Sequence, residues 1–333
     1  MTSSGSSRHL GLDLGGTNLK WAVVERAPDG WRRLDAGQVP TIGDQGPAVL
    51  VRQLADVARA AVAAWTPVRS IGIGVPGLYD PVGGTTRFLV NVPGDWEGVP
   101  VAGPIGEALG LPCFLVNDAR AFTLAEMRLG AGRGAASMIA LTLGTGVGGG
   151  IAIDGRVIQG HDGTAGEIGH QVIDPDGPPC GCGNHGCLEA FARADRIAEG
   201  CGTSTVAEAV ARAAAGDERA RAGLERAGRS LAIGIANMIT VLTPDRVVLG
   251  GGVAAAGEAL FGPLRAELAR RVRTTSLAEV ELVTAELGIW AGAVGAAVHG
   301  AERAAAASAA SRAGEVTAAA GALPAAVAQQ GRP

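Results

Sequence analysis

Asp13-Leu14-Gly15-Gly16-Thr17-Asn18-Leu19-Lys20 sets a carboxylate at the end of an apolar run, follows it with two glycines and a threonine, and returns to apolar sequence. The theme recurs at Leu143-Gly144-Thr145-Gly146-Val147-Gly148-Gly149-Gly150. Strand-like runs flank both stretches, residues 9–13 and 19–24 around the first, 138–143 and 151–153 around the second. A strand, glycine-rich turn and strand that occur twice predict a duplicated α/β unit with two phosphate-facing hairpins. Glycines let backbone N–H groups approach phosphate oxygens, the Thr17 hydroxyl adds a donor, and Asp13 can hold a hydrated Mg²⁺. A plain hairpin competes for the first loop, because Gly-Gly alone favours one. The second has more glycines than a simple hairpin requires, and two such loops facing one cleft would grip a nucleoside triphosphate from both sides. Neither fits the P-loop or the Rossmann fingerprint, since both lead into strands instead of helices. Gly250-Gly251-Gly252, after a buried strand at 246–249, offers a third glycine edge for an adenine or ribose, or else a turn that starts a helix.

Outward from these loops, a helix is expected at 50–65, where Leu50, Val51, Leu54, Val57, Ala58, Ala61, Val62 and Trp65 share a face, and a strand at 68–75. The pattern restarts with a strand at 113–116 and a helix at 119–129. Asp154-Gly155 marks a hairpin turn, helices dominate 188–242, and a strand at 280–283 precedes a last helix at 289–299. Residues 1–7 are rich in Ser and Gly, and residues 304–333 form an Ala-rich stretch; both are expected to be disordered. At 333 residues, two domains are the natural division. With 47% hydrophobic and 18% charged residues and a net charge of −4, the chain has an ample core and no basic block, so neither nucleic acid nor membrane is indicated as a partner. No apolar run approaches the ~20 residues of a membrane span, and a cytoplasmic protein is expected.

Gly166-Glu167-Ile168-Gly169-His170 and Cys180-Gly181-Cys182-Gly183-Asn184-His185-Gly186-Cys187-Leu188-Glu189 bring three thiols and imidazole into one short segment, the ligand set of a tetrahedral zinc site. A disulfide framework is the poorer reading, with five cysteines and no signal peptide. Burial as small hydrophobes is poorer too, because glycines and prolines crowd the segment. Cys180, Cys182 and Cys187 supply sulfur, with His170 or His185 as the nitrogen ligand. Four protein ligands leave no open position, so such a zinc would be structural and would fix Glu167 and Glu189 as partners for ligand hydroxyls. Asn117-Asp118 follows a short apolar strand, where a general base for a hydroxyl would sit opposite a phosphate loop. An N-cap for the following helix competes for the same residues.

Together these segments resemble the ROK family (repressors, open reading frames and kinases), most closely its bacterial glucokinase branch. The resemblance covers residues 8–300 and rests on the DxGGTxxK motif at 13–20, Gly74-Val75-Pro76-Gly77, Asn91 with Trp96, Asn117-Asp118-Ala119, the LGTGVGGG stretch, Glu167 to His170, and Cys-x-Cys-Gly-x2-Gly-Cys-x-Glu. It implies the actin-like, hexokinase-type (ribonuclease H-like) ATPase fold, two α/β domains around a cleft. Residues 8–116 would form the first domain, joined by a C-terminal helix at 289–303, and 117–288 the larger second domain. It further implies ATP-dependent phosphorylation of D-glucose at O6. Asp118 would act as base, and Asn91, Asn117, Glu167, His170 and Glu189 would bind the sugar. Asp13, Gly15, Gly16, Thr17, Lys20, Gly144, Thr145, Gly146, Gly251 and Gly252 would bind ATP and Mg²⁺. The resemblance favours His170 over His185 beside the three cysteines. Other hexoses or N-acetylhexosamines (N-acetylmannosamine, N-acetylglucosamine, allose, fructose) would use the same loops. A sugar-sensing repressor is disfavoured because residues 1–8 leave no room for a helix-turn-helix before the first strand. Relatives commonly form homodimers or homotetramers. Arg120 departs from the family, where Asn commonly follows Asn-Asp-Ala.

Overall fold

The computed structural model describes residues 5–321, with side chains through Arg312. Residues 1–4 and 322–333, parts of the two termini expected to be disordered, fall outside the described residues. The first half of the chain builds a five-stranded sheet from β1 (Ser7–Leu14), β2 (Asn18–Ala27), β3 (Gly30–Pro40), β4 (Val68–Val75) and β7 (Cys113–Asn117), in the order β3-β2-β1-β4-β7. β1 pairs antiparallel with β2 and parallel with β4. The second half repeats the scheme with β8 (Met138–Leu143), β9 (Val147–Ile153), β10 (Arg156–Val157), β11 (Arg246–Gly250) and β12 (Glu281–Thr284), in the order β10-β9-β8-β11-β12. The central strand of each sheet turns back antiparallel through a glycine turn on one side and pairs with a parallel strand on the other. The duplication expected from the two motifs is therefore a duplication of strand order.

Alternating burial and helical periodicity explain the layers. Helix α1 (Pro47–Ala64) starts with proline in its first turn and buries Leu50, Leu54, Ala58 and Ala61 against the first sheet. A hairpin of β5 (Gly77–Asp80) and β6 (Thr85–Leu89), then α2 (Ala102–Leu109), complete this half; the sequence reading missed all three. Helix α3 (Asp118–Leu129) leads into the second half. There α4 (Glu189–Ala192), α5 (Ala194–Cys201), α6 (Val206–Ala214), α7 (Glu218–Leu242) and α8 (Glu258–Arg271) cover the second sheet. Asp217 caps α7 by accepting from Ala220 N–H, and Leu224, Leu231, Ile235 and Ile239 line its buried stripe.

Helix α9 (Ala291–Gly321) returns to the first sheet. It runs well past residue 303, so residues 304–321, expected to be disordered, are helical: the Ala-rich composition is that of a good helix former. Likewise Ser7, expected in the disordered start, belongs to β1. A Cβ on Gly11 or Gly72 would collide with the carbonyl oxygens of Ala293 and Ala296. These two strand glycines let the helix backbone lie directly on the sheet.

Candidate functional site

The ends of β1 and β7 bring two carboxylates together. Asp13 sits beside Lys20 across the β1–β2 pair, with Nζ donating to Oδ2 at 3.4 Å, and beside Gly74 on the other side. The first turn of α9 crowds it so closely that a Cβ on Gly292 would lie 2.6 Å from its carboxyl carbon. Burial pushes the Asp13 pKa up, against the pull of Lys20. Asp118 opens α3, and its Oδ1 accepts its neighbour Ala119 N–H at 2.8 Å. Burial first, then the charge of Asp13, with a smaller push from Glu167, raises its pKa to about 7. A carboxyl group so placed exchanges protons near neutral pH, which is what a general base requires.

Asn117 does what the competing reading expected: its Oδ1 caps α3 by accepting from Ala119 and Arg120 N–H at 3.0 and 3.3 Å, and its Nδ2 donates to Gly77 O at 3.2 Å. With its amide engaged at both ends, Asn117 fixes the start of the helix and hence the direction of Asp118.

The first glycine turn closes with Gly15 N–H donating to Asn18 O, and the Thr41 hydroxyl braces it on Gly15 O at 2.7 Å. Gly16 and Thr17 are exposed. Asn91, in the left-handed region at φ 60°, lays its carbonyl against Gly16, where a side chain would not fit. The second loop is shorter than expected. Only Gly144, Thr145 and Gly146 form the turn, whereas Gly148, Gly149 and Gly150 belong to β9. Their missing side chains serve packing: a Cβ would lie 2.8 Å from Ala119 Cβ, 2.8 Å from Ile168 and hard against the Thr123 hydroxyl, respectively. This close packing seats β9 directly on the first turns of α3. Gly251, at φ 84°, packs on the Leu143 backbone, while nothing stands over Gly252.

Glu167, His170 and Glu189 lie on the wall that the cysteine loop builds. Glu189 Oε2 accepts from Val147 N–H at 2.9 Å, joining this wall to the second glycine turn. The ligand atoms of His170, Cys180, Cys182 and Cys187 all fall within 4.8 Å of one another. His170 Nδ1 is 3.6 Å from Cys180 Sγ, and Cys182 Sγ is 3.7 Å from Cys187 Sγ. A tetrahedron with Zn–S near 2.3 Å and Zn–N near 2.0 Å has edges of about 3.8 Å between sulfurs and about 3.5 Å between sulfur and nitrogen, so the donor set fits a zinc ion. His185 is exposed on the loop, its backbone bridged to Pro179, and is not in this group. The sequence reading flagged Arg120 only as a departure. Its buried guanidinium donates to Glu167 Oε1 at 3.0 Å, a partnership that a spacing of 47 residues gave no means of finding.

The strand order, repeated in two sheets that each carry a glycine turn, matches the actin-like, hexokinase-type ATPase fold. The model of the ROK family matches residues 9–302, and the chain belongs to that family. It is 37% identical over 307 residues to a glucokinase of Thermotoga maritima, covering 86% of this chain and 95% of that one. Among solved structures, a ROK hexokinase from Thermus thermophilus superposes with a TM-score of 0.80 at 36% identity, over 89% of this chain and 98% of that one. A ROK glucokinase from Streptomyces griseus, solved with glucose and AMPPNP, gives a TM-score of 0.72 at 30% identity, over 90% and 100% of the two chains.

Proposed function

We propose that this ROK-family sugar kinase is an ATP-dependent glucokinase that transfers the γ-phosphoryl group of ATP to O6 of D-glucose. The observation that carries the reading is Asp118, a half-buried carboxyl group just past the end of β7, its pKa raised to about 7 by desolvation and by the charge of Asp13. Asp118 takes the proton of the 6-hydroxyl as that oxygen attacks phosphorus, and ADP leaves with the electrons of the broken P–O bond. Asn117 aims the base through the helix cap. Gly15, Gly16, Thr17 and Lys20 on one side, with Gly144, Thr145, Gly146, Gly251 and Gly252 on the other, hold ATP. Asp13 would hold Mg²⁺, which offsets charge on the transferred group. Asn91, Glu167, His170 and Glu189 bind the sugar's other hydroxyls. His170, Cys180, Cys182 and Cys187 would hold a structural zinc that keeps this wall in place.

In this reading residues 8–116 with the 289–303 part of α9 form one domain and 117–288 the other, and their closure over the sugar excludes water from the γ-phosphate. The enzyme would work in the cytoplasm as a homodimer or homotetramer. None of the described helices is long and apolar enough to cross a membrane. A coupled ADP-release assay over hexoses and N-acetylhexosamines, with ATP, GTP and polyphosphate as donors, is the direct test. The highest kcat/KM is expected for glucose with ATP. Preference for an N-acetylhexosamine would overturn the glucokinase assignment, and no turnover with any sugar would overturn the kinase mechanism.

A further inference from the structure

Arg120 is the largest fully buried side chain among the described residues, 1% exposed. Its Nε donates to Ala165 O at 2.8 Å and its Nη2 to Glu167 Oε1 at 3.0 Å. Its backbone N–H is itself held by the Asn117 cap. One planar cation therefore ties the first turn of α3, which carries Asp118, to the segment that carries Glu167. An apolar side chain of similar volume would fill this space without the desolvation cost of a charge, so filling space is not what the guanidinium adds. It adds direction. A rigid fork bound at two points leaves the carboxylate it grips little freedom to rotate. Glu167 keeps 40% of its side chain exposed, so with Oε1 committed to Arg120 its second oxygen is left for a ligand.

We propose that Arg120 is a positioning residue for sugar recognition: it holds Glu167 so that the free carboxylate oxygen accepts from one particular sugar hydroxyl. A carboxylate oxygen in that position accepts and does not donate, so the site discriminates against a sugar lacking that hydroxyl. The inference rests on the sugar-kinase reading and on Glu167 as a sugar ligand.

The test compares the wild type, R120M, R120K, E167Q and R120M/E167Q on glucose and on the series of monodeoxyglucoses. In the wild type, one deoxy sugar should show a KM far above that of glucose. R120M should raise KM for glucose on the order of tenfold, more than it changes kcat or KM for ATP, and should erase the penalty for that one deoxy sugar while keeping the penalties for the others. The double variant should be no worse than E167Q alone, and R120K should recover only part of the discrimination, because a flexible ammonium lacks the rigid planar fork that fixes the direction of the carboxylate. If R120M does not fold, the double variant, which buries no lone charge, carries the comparison. Overturning results are full discrimination in R120M or in the double variant, or an equal rise in KM for every sugar of the series. A wild type that phosphorylates no sugar would fail the kinase reading itself, which this comparison keeps separate.

Discussion

A carboxyl group whose pKa is held near neutrality costs the fold something, and Asp118 shows where. Its folded pKa, about 7, lies above the ordinary 3.8. A raised pKa means that the folded state binds the proton more tightly, so stability from this group is complete below pH about 4 and declines as pH rises to about 7. D118N, neutral at every pH, should therefore be more stable than the wild type at pH 8, by on the order of a few kcal/mol and with a correspondingly higher melting temperature, the gap closing toward pH 4. Its turnover should collapse while sugar binding persists, and wild-type kcat should fall as pH drops below about 7. Equal melting temperatures at pH 8, or near-normal turnover in D118N, would contradict the assignment. That Asp118 follows a strand was legible from the apolar run before it. Its coupling to Asp13 was not, because 105 positions separate the two and only the β1-β4-β7 order makes them neighbours.

At the scale of elements, most strands of both sheets and the helices α1 and α3 were readable because their apolar periodicities are uninterrupted. The β5–β6 hairpin and α2 were not, since short segments rich in glycine and proline carry too few periods to count. The glycine run of β9 misled for a different reason. Glycine marks close approach as well as turns, and sequence does not say which surface approaches. The three cysteines of the loop were legible through their ligand chemistry, whereas the choice of His170 over His185 came from the family resemblance. Apart from Leu188, which joins the main core, the loop has few core side chains of its own, Cys180 and Cys187 forming a small buried cluster with Ala190 of α4, so its order should depend on the ion. About one zinc per chain is expected by metal analysis. Stripping it with a strong chelator, or substituting C187S, should raise sugar KM at least tenfold while the nucleotide affinity of the glycine turns changes far less. Loss of both affinities in parallel would instead make the loop part of the general fold.

At the scale of the molecule, the two lobes share one architecture, yet they are stitched by helices that belong to neither repeat alone. Helix α3 packs on β8, β9 and α9, and α9 packs on β1, β4 and α3. The stitching rests on backbone contact at Gly11, Gly72 and Gly295, the last facing Ala121 O. G72A should destabilise the protein by about 3 kcal/mol, read from denaturant midpoints, because a methyl group there meets main chain that has no rotamer to yield. A change below 0.5 kcal/mol would show that the helix can ride outward at little cost. The arrangement also sets a timetable for biosynthesis. The first sheet is made early, but the surface formed by β1 and β4 stays uncovered until residues 291–300 have left the ribosome, some 280 residues after Gly11. Packing of the N-terminal half is thus complete only once nearly the whole chain has been made.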